Sequence, residues 1–586
     1  MDDAIAVTAT TTNDASADAA DAACIDVSDD ELAVCVSVLC KFHTSEGSTH
    51  LQTPRFRQFR LAIMPLVSDL REKLLTPKLS RTTRKERQQR KLAERTYNRE
   101  RDRQLLNSTQ LRAGRLAKLA TVTALNPQLA QVPDGPSSLG ILPQLNNDLK
   151  EEGVDAANGI DEGTRIEGSS SAATSELHFP HRCYVCNLKY KQLHHFYDRL
   201  CPPCAKLNYE KRLQTADLRD HVAIVTGARV KIGYEITLKL LRSGAMVIAT
   251  TRFPKDAAYR FARERDFDAW KDKLQIYGMD FRDLGVIDKF MDHVATTFGS
   301  IDILINNATQ TIRRPVHYYK HLIKSEVAPI PEELNGVEQL LRSNLNFIST
   351  TDGTQKMIQM PNGQTFRDGV TVRADVLPPA GIPSSVLLSQ VAVVFEDLES
   401  EGIERFFPEG QVDVNNQQVD LRSSNSWIQK IDEIETMELV EVFAINAMAP
   451  FILNKRAIPL LEKSVNKHKF IINVSAMEGK FYRKKTPYHP HTNMAKAAAN
   501  MMTRTAAADL AKRGIFMNSV DTGWINDENP RDIAARNAEA NFQTPLDEID
   551  AAVRVLDPIF TLQQPQNEHK TPIFGQFLKN FRTSEW

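Results

Sequence analysis

The sequence lacks three features that would assign it to a class at once. Its 586 residues carry a formal net charge of only −1, so the whole chain is not a polyelectrolyte. It has no uninterrupted apolar run near the roughly 18 residues of a membrane span. It lacks a disulfide framework, because four of its seven cysteines sit in two tight pairs, which is the spacing of a metal site. We therefore expect no membrane association and a cytoplasmic location, with the nucleus as the alternative.

Composition divides the chain into segments of different character. Residues 1–54 are rich in Ala, Thr and Asp, which predicts disorder. The remaining segments are a basic helical segment at 55–118, a polar linker at 119–175, a cysteine module at 176–212 and a main domain at 217–586.

The basic segment has two interpretations. The stretch from Arg81 to Arg103 contains ten Lys and Arg residues and only four Asp and Glu residues. This pattern is typical either of a nuclear-targeting or nucleic-acid-binding helix, or of a solvated charged helix. The acidic residues weaken the positive electrostatic potential of this helix, and Tyr97 is the only aromatic side chain in it that could stack on a base. We therefore favour the solvated helix and expect no nucleic-acid partner.

Four of the cysteines have the spacing of a metal site. Cys183 and Cys186 form one C-x2-C pair, and Cys201 and Cys204 form a second after fourteen intervening residues. Two such pairs can present four thiolates to one tetrahedral Zn²⁺. Because four thiolates leave no open coordination position, the predicted zinc is structural. The module would then either bind a partner or pack on the main domain as a structural clip. We expect the other three cysteines, Cys24, Cys35 and Cys40, to be free thiols.

The main domain begins with one strand–turn–helix–strand unit. Val222 to Val225 is a short apolar run, Thr226-Gly227 interrupts it, and helical apolar spacing starts at Ile232. A second apolar run spans Met246 to Thr250. Such a unit predicts a parallel sheet, and its helix N-terminus is an anion site because free N–H groups point at the turn.

The turn Thr226-Gly-Ala-Arg-Val-Lys-Ile-Gly233 resembles the T-G-x-x-x-G-x-G turn of the short-chain dehydrogenase/reductase family. The resemblance implies a doubly wound parallel sheet, a Rossmann fold, in an α/β protein. It places cofactor contacts at Gly227, Arg229, Lys231, Ile232 and Gly233. Lys231 stands at the middle glycine position, where some NADPH-dependent members such as pteridine reductases carry a cation.

Further motifs follow in the order of that family. Arg252 comes after the second strand, where an acid would bind the ribose of NAD and a cation the 2′-phosphate of NADP. Asp280 follows the third strand, where the family contacts adenine. Asn307 lies in Asn306-Asn-Ala-Thr309, similar to the family's N-N-A-G. We therefore expect NADP(H).

A large insertion interrupts the family pattern at residues 311–436. A structureless loop of this length is improbable in a compact domain. We expect elements of its own, for example across Ser385 to Glu396, and a lid or subdomain on the substrate side.

The catalytic motif is altered. The resemblance implies that Lys496 binds the nicotinamide ribose and lowers the pKa of the catalytic acid. It also implies that Asn446 holds a water molecule in the proton relay to that acid. The family's Tyr, four residues before the Lys, is replaced by Thr492. Its Ser position holds Ala476, with Ser475 one place earlier. Tyr488, eight residues before Lys496, is the leading candidate to replace this acid. Some enoyl reductases have their catalytic Tyr seven residues before the Lys.

Strings such as Gln310–Pro315 and His489–Lys496 resemble a subgroup of this family that shares the altered motifs. Two functions stay open. One is an NADP-dependent oxidoreductase acting on a carbonyl, alcohol or activated double bond of an unknown substrate. A homo-oligomer is one assembly that such a protein could form. The alternative is a catalytically reduced NADP-binding scaffold or sensor that uses its zinc module to bind a partner.

Overall fold

A computed structural model describes fourteen segments of the chain: 27–42, 53–70, 81–125, 176–334, 336–352, 358–359, 365–367, 370–372, 383–398, 402–413, 417–482, 485–539, 542–567 and 569–586. They belong to two compact units, Met1–Thr96 and Tyr97–Trp586. This division differs from the predicted boundaries, because the basic segment is divided and the cysteine module shares a unit with the main domain. Cys24 and residues 126–175 of the predicted linker lie outside the described residues.

The N-terminal unit contains helical structure where the sequence predicted disorder. Helix α1 spans Asp29–Lys41 and begins with a capping box, in which Ser28 and Glu31 satisfy each other's backbone N–H groups. The prediction of disorder for 1–54 therefore differs from the structure over α1. Capping supplies the local stabilisation that composition alone did not reveal.

Seventeen α-helices are found among the described residues. They are α1 Asp29–Lys41, α2 Arg57–Leu70, α3 Arg81–Asn107, α4 Gln110–Leu125, α5 Pro202–Arg212, α6 Lys231–Arg242, α7 Pro254–Ala262, α8 Phe267–Trp270, α9 Gly285–Phe298, α10 Lys320–Val327, α11 Val337–Asp352, α12 Ser384–Leu388, α13 Thr436–Phe443, α14 Ala449–Lys463, α15 Pro490–Lys512, α16 Arg531–Glu539 and α17 Glu548–Leu562.

The strands form three sheets in the described part of the chain. They are β1 Glu176–Arg182, β2 Lys189–Gln192, β3 Val222–Thr226, β4 Met246–Thr251, β5 Leu274–Gly278, β6 Ile303–Asn306, β7 Ile358–Gln359, β8 Thr365–Arg367, β9 Val370–Val372, β10 Lys469–Ser475, β11 Ile515–Asp521, β12 Phe577–Lys579 and β13 Arg582–Ser584. The main sheet has the order β13-β12-β11-β10-β6-β3-β4-β5. All its neighbours pair in parallel except the antiparallel edge strand β13.

The predicted α/β fold with a doubly wound parallel sheet is confirmed. Strands β3, β10 and β11 are buried along nearly their whole length, because helices cover both faces of the sheet. One apolar core includes Val225 and Ile276, and another on the opposite face includes Ile224 and Leu304. The carboxyl ends of β3, β6 and β10 consequently meet at one edge of the sheet.

The insertion has secondary structure of its own, as expected. It contains α10, α11, α12 and the small antiparallel sheet β7–β9. The element expected across Ser385–Glu396 is instead the short α12 followed by a separate 3-10 turn, Phe395–Asp397. Arg313 ties the insertion to the domain, because its buried guanidinium contacts both Asp397 and Glu441.

One continuous helical stretch in the described residues, Thr436–Lys463, is long and apolar enough to cross a membrane. Half of its most apolar window is buried inside the protein. It packs against β6, β10 and α9, which is the position of a core helix.

Candidate functional site

The glycine turn between β3 and α6 has the shape that a phosphate cradle requires. Gly227 has a φ of 70°, and a Cβ there would lie 2.9 Å from Ala308 Cα. A Cβ on Gly233 would lie 2.2 Å from the Gly227 carbonyl oxygen and 2.5 Å from Asn307 Nδ2. Asn307 Nδ2 also donates to the Thr226 carbonyl at 3.0 Å. The turn and the β6 loop are thus in contact, and only glycine fits between them.

The two cations predicted in this turn have different surroundings. The Arg229 guanidinium lies 2.8 Å from the Asp256 carboxylate, so its charge is already paired. Lys231 Nζ lies 3.8 Å from Glu528, a looser pair, and its backbone has a φ of 55°. Ile232 lines the same cleft. Of the two cations, Lys231 is the freer to meet an anion.

Arg252 and Asp280 follow β4 and β5 at the same edge. Arg252 donates to the Tyr319 hydroxyl at 3.0 Å, and its guanidinium lies 4.7 Å from the centre of that ring. Asp280 forms a bidentate pair with Arg282, which holds the pKa of this buried carboxyl down against the effect of burial. Arg252 keeps hydrogen-bond donors beyond the one that Tyr319 accepts.

All these groups line one open cleft of about 1560 Å³. Its wall comes from the glycine turn, the carboxyl ends of β4, β6, β10 and β11, the insertion and the loop that precedes α16. Parallel α/β sheets bind ligands at this edge. The following candidate residues line it: Gly227, Arg229, Lys231, Ile232, Gly233, Arg252, Asp280, Asn307, Ser475, Tyr488, Thr492 and Lys496.

Lys496 lies in the buried floor of the cleft, on α15. Its Nζ donates to the Val474 carbonyl at the end of β10, at 2.9 Å. Burial lowers its pKa from 10.5 to about 8, although Glu478 and Asp521 oppose this effect. Lys496 is therefore a cation whose charge depends on pH near neutrality.

Ser475 and Asn446 are placed close to the floor but are already hydrogen bonded. The Ser475 hydroxyl donates to Asn500 Oδ1 at 2.6 Å. Asn446 exchanges two hydrogen bonds with the backbone of Gln310, and it lies on a π-helical turn, Ala444–Met448. Neither side chain is a ready proton donor. Asn446 instead fixes the start of the insertion beside the cleft.

The two hydroxyls considered as substitute acids differ in exposure. Thr492 is 3% exposed, and its Oγ1 is buried without a hydrogen-bond partner among the described residues. Tyr488 is 38% exposed and precedes the first residue of α15 by two positions. A threonine hydroxyl is not acidic near neutral pH.

His489 also lines the cleft, although it is not among the residues predicted from the sequence. Its ring stacks on Trp427 at 3.9 Å with an interplanar angle of 6°. The signal present in the sequence was a histidine next to Tyr488, in the segment that leads to Lys496.

The four predicted metal ligands lie together. The Sγ atoms of Cys183, Cys186, Cys201 and Cys204 are all within 4.8 Å of one another. Cys183 follows β1, and Cys201 is the N-cap of α5, so the hairpin and the helix bring the pairs together. Four converging thiols are the donor set of a closed tetrahedral site.

The cysteine module packs on the main domain as a clip. Arg212 forms buried ion pairs with Asp547 at 2.7 Å and with Asp550 at 3.3 Å. The Tyr197 hydroxyl donates to Asp550 at 2.5 Å. Tyr184, between the first two cysteines, lines the cleft and accepts a hydrogen bond from the Trp524 backbone N–H at 2.9 Å. The module is therefore part of the cleft wall.

Known proteins resemble this chain in sequence over much of its length. Residues 221–328 match the family model described as short chain dehydrogenase, and residues 413–555 match that described as enoyl-(acyl carrier protein) reductase. An uncharacterised protein of Acanthamoeba polyphaga mimivirus is 30% identical over 390 residues, which cover 64% of this chain and 71% of that protein. The chain belongs to the short-chain dehydrogenase family. The insertion lies largely between the two matched regions of this family.

Two dehydrogenases with named activities are matched over shorter stretches. The chain is 28% identical to 3beta-hydroxysteroid dehydrogenase 2 of Eggerthella lenta over 24% of its length and 48% of that protein. It is 29% identical to (+)-neomenthol dehydrogenase of Capsicum annuum over 20% of its length and 38% of that protein. The chain thus spans less than half of these two relatives.

Two solved structures share 17% sequence identity with the chain. The NADPH-bound carbonyl reductase from chicken fatty liver gives a TM-score of 0.35 and covers 63% of this chain and all (100%) of its own. The short chain dehydrogenase from Burkholderia cenocepacia in complex with NADP also gives 0.35, over 62% and 96%. The family assignment rests on the sequence matches.

Proposed function

We propose that the protein is an NADP-dependent oxidoreductase acting on a carbonyl, an alcohol or an activated double bond. The observation that carries the proposal is one cleft that holds a glycine phosphate cradle, Arg252 and the buried Lys496. Binding of one NADP molecule needs a site for the pyrophosphate, a cation for the 2′-phosphate and a group for the nicotinamide ribose. The glycine turn, Arg252 and Lys496 would supply these three in turn.

The residues present suit a phosphorylated dinucleotide. Backbone N–H groups at the start of α6 would hold the pyrophosphate, with Lys231 adding charge. Arg252 would hold the 2′-phosphate with its free guanidinium donors, and no acidic side chain follows β4 immediately to select a ribose hydroxyl instead. Bound NADPH would supply a hydride to the substrate.

Lys496 would bind the nicotinamide ribose and add positive charge to the reaction site. Its burial makes that charge effective, because the local dielectric is lower than that of water. Ser475 is held by Asn500, so it acts on the substrate only through its accepting lone pairs.

Replacing Lys496 with methionine tests this function. We expect NADPH oxidation with a panel of carbonyl probes that includes 9,10-phenanthrenequinone to fall at least about 100-fold. The charge on Lys496 is present below a pKa of about 8 and lost above it, so wild-type affinity for NADPH should fall between pH 7 and 9. Lys496→Met should remove that dependence.

The matched control is Lys512→Met in the last turn of the same helix, where the side chain is exposed. Its turnover and its pH dependence should match the wild type. Probe turnover that survives in Lys496→Met would contradict the proposed role.

We also propose that Cys183, Cys186, Cys201 and Cys204 hold one structural Zn²⁺. The support is the donor set, because four thiols in this arrangement leave no fifth position for water or substrate. The ion would fix the hairpin β1–β2 against α5 and thereby hold Tyr184 at the cleft.

A second function has one observation in its favour. The family's tyrosine position holds Thr492, which cannot serve as an acid near neutral pH. An NADP-binding scaffold or sensor that captures partners through its zinc module would need no acid. NADPH binding without turnover on any carbonyl probe would support this alternative. The buried ion pairs between the module and α17 leave it less surface for a partner.

A further inference from the structure

His489 has an unusual backbone conformation at the cleft. Its φ and ψ are 42° and 47°, the left-handed region, although it is not a glycine. Residues with side chains adopt this conformation at an energetic cost and keep it only where the surroundings enforce it. Such residues cluster at ligand and reaction sites.

The end of the insertion enforces this conformation. The His489 backbone N–H donates to the Gln429 carbonyl at 2.8 Å. The ring lies flat on the Trp427 indole, and Nδ1 lies 2.7 Å from the Trp427 carbonyl. Three separate contacts from one segment therefore set the position of this side chain.

The contact to a carbonyl also determines the tautomer. A carbonyl oxygen only accepts, so Nδ1 must carry its proton and donate it. Nε2 then holds the lone pair in the neutral ring. Among the described residues the ring forms its hydrogen bond from Nδ1 to Trp427, so none engages Nε2, and the residue as a whole is 9% exposed.

His489 and Lys496 lie close in sequence and line the same cleft. His489 is the N-cap residue immediately before α15, and Lys496 lies within that helix. Thr492, in the first turn of α15, lines the cleft as well. The imidazole is therefore a titratable group in the cleft wall that also holds Lys496, where Thr492 supplies no acid.

We propose that His489 is the general acid and base of the reaction and takes the place of the tyrosine that this chain lacks. The proposal rests on the proposed oxidoreductase function. In reduction, the imidazolium gives its Nε2 proton to the substrate oxygen while the carbonyl carbon receives the hydride. One C–H and one O–H bond form, the C=O π bond breaks, and the two electrons come from the reduced nicotinamide. In the reverse direction the neutral Nε2 accepts the alcohol proton.

Burial, together with the charged groups around His489, sets the direction of its pKa shift. Burial lowers its pKa below 6.5; the Trp427 carbonyl and Glu478 raise it, and His491 and Lys485 lower it further. Reduction needs the protonated ring, so its rate should decline with rising pH through a value below 6.5. Oxidation needs the neutral ring and should lose rate as pH falls through the same value.

His489→Gln tests the proposal in the full-length protein. The glutamine amide can still donate a hydrogen bond but cannot transfer a proton. We expect reduction of 9,10-phenanthrenequinone by NADPH to fall about 100-fold or more and to lose the part of its pH dependence that lies below pH 6.5, while the part due to Lys496 remains. Affinity for NADPH, measured by calorimetry, should stay within about threefold of the wild type. The control is His569→Gln, at an exposed position, which should match the wild type.

A second readout does not need turnover. Spectra of protein labelled with 15N-histidine should contain one ring, absent in His489→Gln, with Nδ1 protonated and Nε2 free at pH 7.5. The opposite tautomer, or wild-type turnover in His489→Gln, would overturn the role of His489 alone. Wild-type protein that neither binds NADPH nor reduces the quinone would overturn the proposed function as well.

Discussion

Gly233→Ala is expected to weaken NADPH binding about 100-fold, equal to about 2.8 kcal/mol. The added methyl carbon would lie 2.2 Å from the Gly227 carbonyl oxygen and 2.5 Å from Asn307 Nδ2. No rotation of a flexible side chain relieves the first contact, because that atom belongs to the backbone. The turn must move, and its N–H groups then no longer converge on one phosphate.

The same substitution should also lower stability. Forcing extra volume into a packed site typically costs about 1–3 kcal/mol. The matched control is Gly285→Ala at the start of α9, where the new Cβ meets only the Asp283 side chain at 3.3 Å. Calorimetric titration of both variants with NADPH gives the comparison. Equal affinity in Gly233→Ala and the wild type would contradict a phosphate site in this turn.

Loss of the metal from the cysteine module should have the second large effect. We expect one Zn²⁺ per chain in purified protein and almost none in Cys201→Ser. The free energy of metal binding contributes to folding, so the midpoint of thermal unfolding should drop by about 5 °C or more. Serine keeps an N-cap side chain at the start of α5, so the loss reports on the metal.

Cys35→Ser is the matched control, because Cys35 is an exposed cysteine on α1 outside the cluster. It should keep both the zinc content and the unfolding midpoint of the wild type. Elemental analysis and calorimetric unfolding measure the two quantities. A wild-type protein without zinc, or a Cys201→Ser variant with an unchanged midpoint, would contradict the structural site.

The sheet was predictable because it depends on local patterns. Val222–Thr226 and Lys469–Ser475 are apolar runs of strand length, and each is a fully parallel strand in the structure. Gly227 and Gly233 were identifiable because glycines at this spacing, between a strand and a helix, are typical of a phosphate-binding turn. The order of motifs along the chain then fixed the order of elements.

The pairing of charges within the cleft was not predictable in the same way. Arg229, predicted to contact a cofactor, pairs with Asp256, 27 positions away, on α7. Asp280, predicted to contact adenine, pairs with Arg282. The cofactor contacts of both residues remain predictions. The sequence identified side chains at the right edge of the sheet, but their partners depend on how neighbouring helices and loops are placed.

The contribution of the insertion was beyond the reach of sequence patterns. Trp427 and His489 are 62 positions apart and stack directly. No periodicity reports such a contact, because it depends on the path of the insertion across the cleft. The same holds for Arg212 and Asp547, whose pairing across 335 positions places the cysteine module on the main domain.

Calorimetric titration of the purified full-length protein with NADPH and with NADH tests the central claim most directly. We expect one NADPH to bind per chain and NADH to bind at least about tenfold more weakly, because NADH lacks the 2′-phosphate that Arg252 would contact. Absence of binding by both nucleotides would contradict the nucleotide site itself. Equal affinities would contradict the assignment of Arg252.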